Sequence, residues 1–287
     1  YRNLPEAVKA SLWFTICSIL QKGISFITVP IFTRMLSTEE YGIISLFGAW
    51  QSILTIFATL NLSNQIFNNG MVKYEKDQDG YTTAMLGLSN FATVLVFVLY
   101  LVFHTALDKI FELPMSAIIM MFIGFFFSAA TSLWTVHQRY KFKYKLLCLV
   151  TLIISLGSAL LGVLFVRLES VGLARIWGDT ITITTVGLLI YVLIVKKNHK
   201  LFNLTYWKYA LKLDLPLIPH YLSMTVLGSS DRIMINSLCG KSYTALYSVP
   251  YNASMIMQIV TSSINSSFIP WTCLLYTSPS PRDRTRS

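Results

Sequence analysis

Long apolar segments separated by short polar ones recur along the whole chain. A helix needs about 20 apolar residues to cross the roughly 30 Å of hydrocarbon in a bilayer. The pattern therefore predicts eight membrane-spanning helices, the last two interrupted by prolines and polar residues. These are Ala10–Phe32, Tyr41–Leu62, Tyr81–His104, Met115–Val136, Leu146–Arg167, Val171–Val195, Leu213–Leu238 and Tyr243–Ile269.

Composition supports this interpretation and excludes a soluble domain. The chain has 287 residues, of which 54% are hydrophobic and 13% charged, whereas soluble domains carry about 25% charged residues. The predicted fold class is an all-α, polytopic membrane helix bundle. The net charge of +10 would favour nucleic acid as the partner of a soluble chain, but in membrane proteins basic residues gather in cytoplasmic loops.

The distribution of basic residues predicts a cytoplasmic N-terminus, because most of them then fall on the cytoplasmic side. Segment 63–80 on this side is predicted to extend the second span as a helix near the interface. Segment 196–212 is the most basic break, and it predicts a boundary between a first six-helix lobe, residues 1–198, and the start of a second lobe, residues 199–276. The basic residues on the cytoplasmic side are Arg2, Lys9, Lys73, Lys76, Arg139, Lys141, Lys143, Lys145, Lys196, Lys197, Lys200, Lys208 and Lys212.

The last segment, residues 277–287, differs from all that precedes it and resembles translated adapter sequence. We set it aside as a non-native scar. The first residue is not Met, so we expect the chain to be a fragment of a longer protein.

Ionisable residues inside spans are costly and mark functional sites. Lys22 lies in the middle of the first span, where it either faces a wet cavity or is tethered to carbonyl groups of a neighbouring helix. Arg175 and Asp179 in the sixth span are four residues apart and so share one helix face. They are candidates for lining a cavity, or for an interfacial pair that sets the depth of the helix. Asp231 is interpreted as an anchor at a helix end or as the carrier of a coupling proton.

Prolines inside spans free backbone carbonyl groups and either shape a cavity or merely kink the helix. Pro30 is predicted to break the first span, and Pro216 and Pro219 to interrupt the seventh. His220, beside them, either titrates near neutral pH or is a hydrogen-bonded packing residue.

Polar residues on the eighth span suggest a surface for sugar hydroxyl groups, with hydrogen bonding between helices as the alternative. Tyr251 and Asn252 are the candidates for binding. No phosphate loop, metal-ligand spacing or nucleophile motif is present in the sequence, so we expect no enzyme activity, no metal and no cofactor. The four cysteines are far apart and predict no disulfide framework.

Two sequence motifs resemble those of the bacterial polysaccharide (oligosaccharide) flippases, in the superfamily that also contains multidrug and toxin extruders. The first, PIFTRMLSTEEYG at residues 30–42, contains Pro30 and Arg34. The second combines LPLIPH at residues 215–220 with SSDR at residues 229–232. The resemblance covers residues 1–271. It implies two six-helix lobes around a central cavity with alternating access, of which this chain holds the first lobe and two helices of the second.

The resemblance also implies a substrate, a lipid-linked oligosaccharide on undecaprenyl pyrophosphate, moved across the bacterial inner membrane for surface polysaccharides such as O-antigen. Membrane lipids and a coupling proton or sodium ion are the other implied partners, and nucleic acid is not expected. A multidrug extruder is the first alternative, although basic Lys22 does not suit organic cations. A membrane polymerase or glycosyltransferase is the second, but the short outer loops leave no room for its active site.

Overall fold

The computed structural model of the chain describes residues 6–141, 143–254, 257 and 261, and within these residues every regular element is helical. The main helices are α1 (Glu6–Met35), α2 (Thr38–Thr59), α3 (Gln65–Lys73), α4 (Gln78–Phe111), α5 (Met115–Tyr140), α6 (Tyr144–Glu169), α7 (Gly172–Lys197), α8 (Leu204–Asp214) and α9 (Ile218–Cys239). Residues 241–248 are also helical. The all-α prediction is therefore confirmed.

Among the described residues, six segments are long and apolar enough to cross a membrane: Trp13–Met35, Thr38–Thr59, Glu75–Phe111, Met115–Tyr140, Tyr144–Glu169 and Gly172–Lys197. They correspond to the first six predicted spans and identify a multi-pass membrane protein. The seventh predicted span, Leu213–Leu238, mostly coincides with α9. This helix is long enough to cross a membrane, but it is less apolar than the six segments above. Of the eighth, Tyr243–Ile269, the structure describes residues 243–254, 257 and 261, and the others lie outside the described residues.

The predicted break at Pro30 is wrong, because α1 continues through this residue to Met35. A proline removes one backbone donor, but its fixed φ is compatible with a helix, so the chain continues with one hydrogen bond missing. The hydroxyl group of Thr33 donates to the carbonyl oxygen of Pro30 over 3.1 Å.

The prediction that segment 63–80 extends the second span is also wrong. Helix α2 ends at Thr59, and the next two residues, Leu60 and Asn61, have left-handed φ values of 52° and 49°. Left-handed residues do not continue a right-handed helix, so α2 cannot extend through them. The short helix α3 follows, and its apolar side, with Ile66, Phe67 and Met71, is buried.

The proline-rich segment divides two helices rather than interrupting one. Helix α8 ends at Asp214, a single 3-10 turn spans Leu215–Leu217, and α9 then continues without a break. Pro219 lies in the first turn of α9, where its missing donor costs little. The segment 196–212, interpreted as a connecting loop, thus contains most of the helix α8.

Helices α5, α6 and α7 form the centre of the packing, and α1 lies against α6. Two apolar cores are buried at opposite ends of the bundle. One, around Phe67, Tyr81 and Trp134, includes residues of α3, α4, α5 and α8. The other, around Phe111 and Phe122, includes the turn between α4 and α5.

By compactness the chain divides into residues 1–248 and residues 249–287. In the second unit, residues 249–254 are helical, and Tyr251 and Asn252 are half-buried there. The predicted lobe boundary at residue 198 stays a prediction.

A candidate substrate cleft at the basic end

One end of the bundle, which we call the basic end, contains the polar segments 60–78, 140–144 and 197–217. Acidic side chains of α4 and its preceding turn contact the neighbouring helices at this end. The carboxylate of Asp79 lies 3.6 Å from the ammonium of Lys197 and 3.9 Å from Nε2 of His137. The hydroxyl group of Tyr206 donates to Asp77 over 2.9 Å. These contacts connect α4 to α5, α7 and α8.

An open cleft of about 1030 Å³ enters the bundle at the basic end. This volume is at the upper limit of typical ligand pockets, roughly 300–1,000 Å³. Three parts of the chain form its walls: the turn from α2 into α3, the last turn of α5 and the start of α9. The lining residues are Ser63, Asn64, Asn68, Val136, Arg139, Tyr140, Leu217, His220 and Tyr221.

Local sequence explains why these walls meet. The left-handed pair Leu60 and Asn61 ends α2 and turns Asn64 and Asn68 towards the cleft. The 3-10 turn Leu215–Leu217 ends α8 and places His220 in the opposite wall. Each of these two turns therefore positions one wall of the cleft, and only the second of them, with its prolines, was singled out in the sequence.

Arg139 is the permanent cation of the cleft lining. Its guanidinium carbon lies 5.7 Å from the ring centroid of Phe14 on α1, and it makes no ion pair with any acid in the described part of the chain. The rest of the cleft lining supplies amide, hydroxyl and aromatic groups. A guanidinium group is suited to phosphate, which it binds with two parallel hydrogen bonds, and amides and hydroxyls are suited to sugars. The cleft can therefore hold an anionic, hydroxylated ligand.

A second, smaller cavity of about 100 Å³ lies between α2, α4 and α5 and shares Ser63 with the cleft. Its lining is rich in hydroxyl groups, including those of Thr55, Ser128 and Ser132. Ser89 also lines it, and its buried hydroxyl group has no hydrogen-bond partner among the described residues. The polar surface of the cleft thus continues into the bundle.

The structure places Lys22 on the exposed side of α1, away from the cleft lining. The packed side of α1 carries Cys17, whose thiol lies 3.6 Å from the carbonyl oxygen of Cys148 on α6. The role of Lys22 in a cavity stays a prediction.

Arg175 and Asp179 form an ion pair along α7, as their spacing suggested. The guanidinium group also donates to the carbonyl oxygen of Ser158 over 3.3 Å and lies 4.7 Å from the ring of Phe32. It rests against Gly162, where an added Cβ would collide with it. Arg175 therefore joins α1, α6 and α7, and neither member of the pair lines the cleft at the basic end.

The motif at residues 30–42 lies at the other end of the bundle. Arg34 is exposed in the last turn of α1. Ser37 caps α2 by accepting a hydrogen bond from the backbone of Glu40, and the carboxylate of Glu40 accepts one from the backbone of Gly172. This motif thus fixes the turn between α1 and α2 against the start of α7.

Of the coupling candidates, only His220 lines the cleft. Asp231 lies on α9, where the hydroxyl group of Tyr247 donates to it over 2.7 Å.

Sequence reasoning missed Arg139 and Asn68 as lining residues, since it counted Arg139 only as a loop cation. The signal in the sequence was that Arg139, Asn68 and the proline-rich segment all lie on the predicted cytoplasmic side. Among the described residues, no group of three His, Cys, Asp or Glu side chains could hold a metal ion.

Comparison with known proteins gives one result at the level of the family. A family described as "Polysaccharide biosynthesis protein" matches residues 7–273. No curated protein and no solved structure gives a match.

Proposed function

Because the chain belongs to the polysaccharide biosynthesis protein family, we propose that it is part of a flippase for a lipid-linked oligosaccharide. The substrate, a sugar chain on undecaprenyl pyrophosphate, enters from the cytoplasmic leaflet of the inner membrane and leaves on the other side by alternating access. The N-terminus and the basic end are cytoplasmic in this proposal, since basic residues concentrate on the cytoplasmic side of membrane proteins.

The observation that carries the proposal is the open cleft at the basic end with Arg139 in its wall. A pyrophosphate group needs a cation and hydrogen-bond donors as it leaves water, and the guanidinium group, Asn64 and Asn68 supply them. The hydroxyl and aromatic groups of the cleft are suited to the first sugars. Lys22, Arg175, Asp179, Tyr251 and Asn252 remain proposed cavity residues of later steps in transport.

A drug extruder on the same fold is the rival transporter. A cavity for organic cations needs acidic side chains, because a cation leaving water requires a counter-charge. The described lining of the cleft contains no acid and one arginine. An enzyme is the rival of another class, and the described part of the chain presents no metal cluster for one.

Surface polysaccharide in living cells provides the test. The full-length protein with Arg139→Ala is expressed in a strain whose own flippase is deleted, and Arg139→Lys is tested beside it. The control is Arg167→Ala, because Arg167 is exposed at the end of α6 that lies away from the cleft. We expect Arg139→Ala to abolish most surface polysaccharide at unchanged membrane levels, Arg139→Lys to keep part of it, and Arg167→Ala to behave as wild type.

Two results would overturn the proposal. Normal export by Arg139→Ala would remove the cleft from the substrate path. Transfer of sugars between lipid carriers by the purified wild-type protein would replace the flippase with an enzyme.

A further inference from the structure

Asp214 is the last residue of α8 and is completely buried, with 0% of its surface exposed. It shares a helix face with Trp207 and Ala210, which are also buried. This face docks α8 onto α4, where the indole N–H of Trp207 donates to the carbonyl oxygen of Ala84 over 2.8 Å. The carboxyl group is therefore held inside the interface between α8 and the rest of the bundle.

Neither carboxyl oxygen of Asp214 has a hydrogen-bond partner in the described part of the chain, and no cation there pairs with it. Because Asp214 has no exposed surface, a cation from elsewhere can reach its carboxyl group only if a neighbouring group moves away. Asp214 therefore sits in a site without a counter-charge.

The charged and titratable groups of the elements packed against α8 are engaged elsewhere. Lys73 of α3 lies 4.0 Å from the ring of Tyr209, and Tyr74 and Tyr81 stack among the neighbouring tyrosines. Asp79 of α4 pairs with Lys197. The 3-10 turn Leu215–Leu217 that follows carries no ionisable side chain. On α8 itself, Lys208 and Lys212 are exposed. His220 lines the cleft.

Two physical effects favour the neutral acid at this position. Burial penalises a charged carboxylate that has no partner. The C-terminal end of a helix carries a partial negative charge, which adds to the penalty. Burial raises the pKa of Asp214 to about 6, so the group changes its charge close to physiological pH.

We propose that Asp214 is a proton-binding site whose occupancy controls the docking of α8 and of the turn that follows it. The protonated acid favours the docked position of α8. When the proton leaves to water, the carboxylate favours an arrangement in which α8 has moved from α4 and water reaches the group. The sequence alone pointed to Asp231 and His220 for coupling and gave Asp214 no such role.

Movement of α8 would change the cleft, because the turn Leu215–Leu217 connects α8 directly to one of its walls. Leu217 and His220 line that wall, three and six residues after Asp214. Proton binding would thereby set the shape of the cytoplasmic entrance. This use in transport rests on the proposed function, whereas the proton site and its effect on α8 do not.

The sign of the pH dependence follows from the raised pKa. An acid whose pKa is higher in the docked state stabilises docking at low pH, and this stabilisation is lost as the pH rises from about 4 to about 6. Hydrogen exchange of segment 204–217 in the purified protein, corrected for intrinsic exchange rates, measures the docking. We expect its protection to fall about tenfold between pH 5 and pH 7.

The neutral variant Asp214→Asn should keep strong protection with no dependence on pH, while Glu39→Gln, a change at an exposed acid, should titrate as wild type. Infrared spectroscopy offers a second readout: a protonated carboxyl band that the wild-type protein shows at pH 5 and loses by pH 7, and that is absent from Asp214→Asn. Constant protection of wild-type segment 204–217 over this range, or the same titration in Asp214→Asn, would overturn the proposal. A variant that impairs polysaccharide export but leaves the pH dependence of segment 204–217 unchanged separates the two proposals. A variant that changes this pH dependence but exports normally also separates them.

Discussion

The carboxylate of Glu40 accepts a hydrogen bond from the backbone N–H of Gly172, the first residue of α7, 132 positions later in the chain. A carboxylate at a helix N-terminus satisfies a free donor and interacts favourably with the helix dipole. This one contact fixes the turn between α1 and α2 against the turn between α6 and α7, at the end of the bundle opposite the cleft.

Loss of this contact is expected to weaken the bundle. Glu40→Ala should lower the free energy of unfolding by about 0.5–2 kcal/mol, the usual cost of removing a helix cap. Glu40→Gln should lose less, because its amide oxygen still accepts a hydrogen bond. Thermal unfolding in detergent measures both, with Glu39→Ala as the control at an exposed neighbour. Equal losses at the two positions would contradict the capping role.

Close contact between α6 and α7 predicts a large effect of one methyl group. A Cβ added at Gly178 would lie 2.6 Å from the backbone nitrogen of Gly162. Gly178→Ala should therefore force the helices apart and destabilise the protein by about 1–3 kcal/mol. Gly124→Ala is the matched control, since a Cβ there meets nothing within 4 Å and alanine favours the helix. A similar unfolding temperature for the two variants would argue against the tight contact.

The ion pair between Arg175 and Asp179 is expected to couple energetically. Arg175→Ala leaves the Asp179 carboxylate without its partner, whereas the double variant Arg175→Ala with Asp179→Asn removes that charge as well. We expect a coupling energy of about 0.5–3 kcal/mol from the double-mutant cycle, measured by denaturation in detergent. Strict additivity of the two single changes would show that the pair contributes no stability.

Docking of α8 depends on Trp207. Trp207→Phe removes the hydrogen bond to Ala84 and leaves unfilled space, so we expect a local loss of about 1–3 kcal/mol. Faster hydrogen exchange confined to residues 204–214 would report it. Trp177→Phe, at a half-exposed position of α7, should leave that exchange unchanged. If both variants accelerate exchange equally, or neither does, α8 is not held by this side chain.

Predictions from sequence failed where backbone geometry was decisive. Pro30 was expected to break α1, but a single proline in a long apolar helix removes one hydrogen bond and the other turns persist. The turn after α2 was expected to be helical, yet Leu60 and Asn61 adopt left-handed φ values. Neither residue is a glycine, so the sequence carried little sign of this turn.

The candidate site was only partly predictable for a related reason. His220 was singled out because it adjoins two prolines, and it does line the cleft. Arg139 was counted as one of many basic loop residues, since nothing in its local sequence shows that α3 and α9 meet beside it. Arg175 and Asp179 pair as their spacing suggested, but their place between α1, α6 and α7 required the packing of all three helices.

The sequence by itself determined the class of the protein and its first six spans. Hydrocarbon thickness fixes the length of a spanning helix, and the absence of water forces its backbone to bond internally, so composition and period suffice. Only the tertiary structure decided that Arg139 lines a cleft and that Asp214 lies buried without a partner. Both properties depend on contacts between residues far apart in the chain, and the length and hydrophobicity of a segment contain no information about which distant segment packs against it.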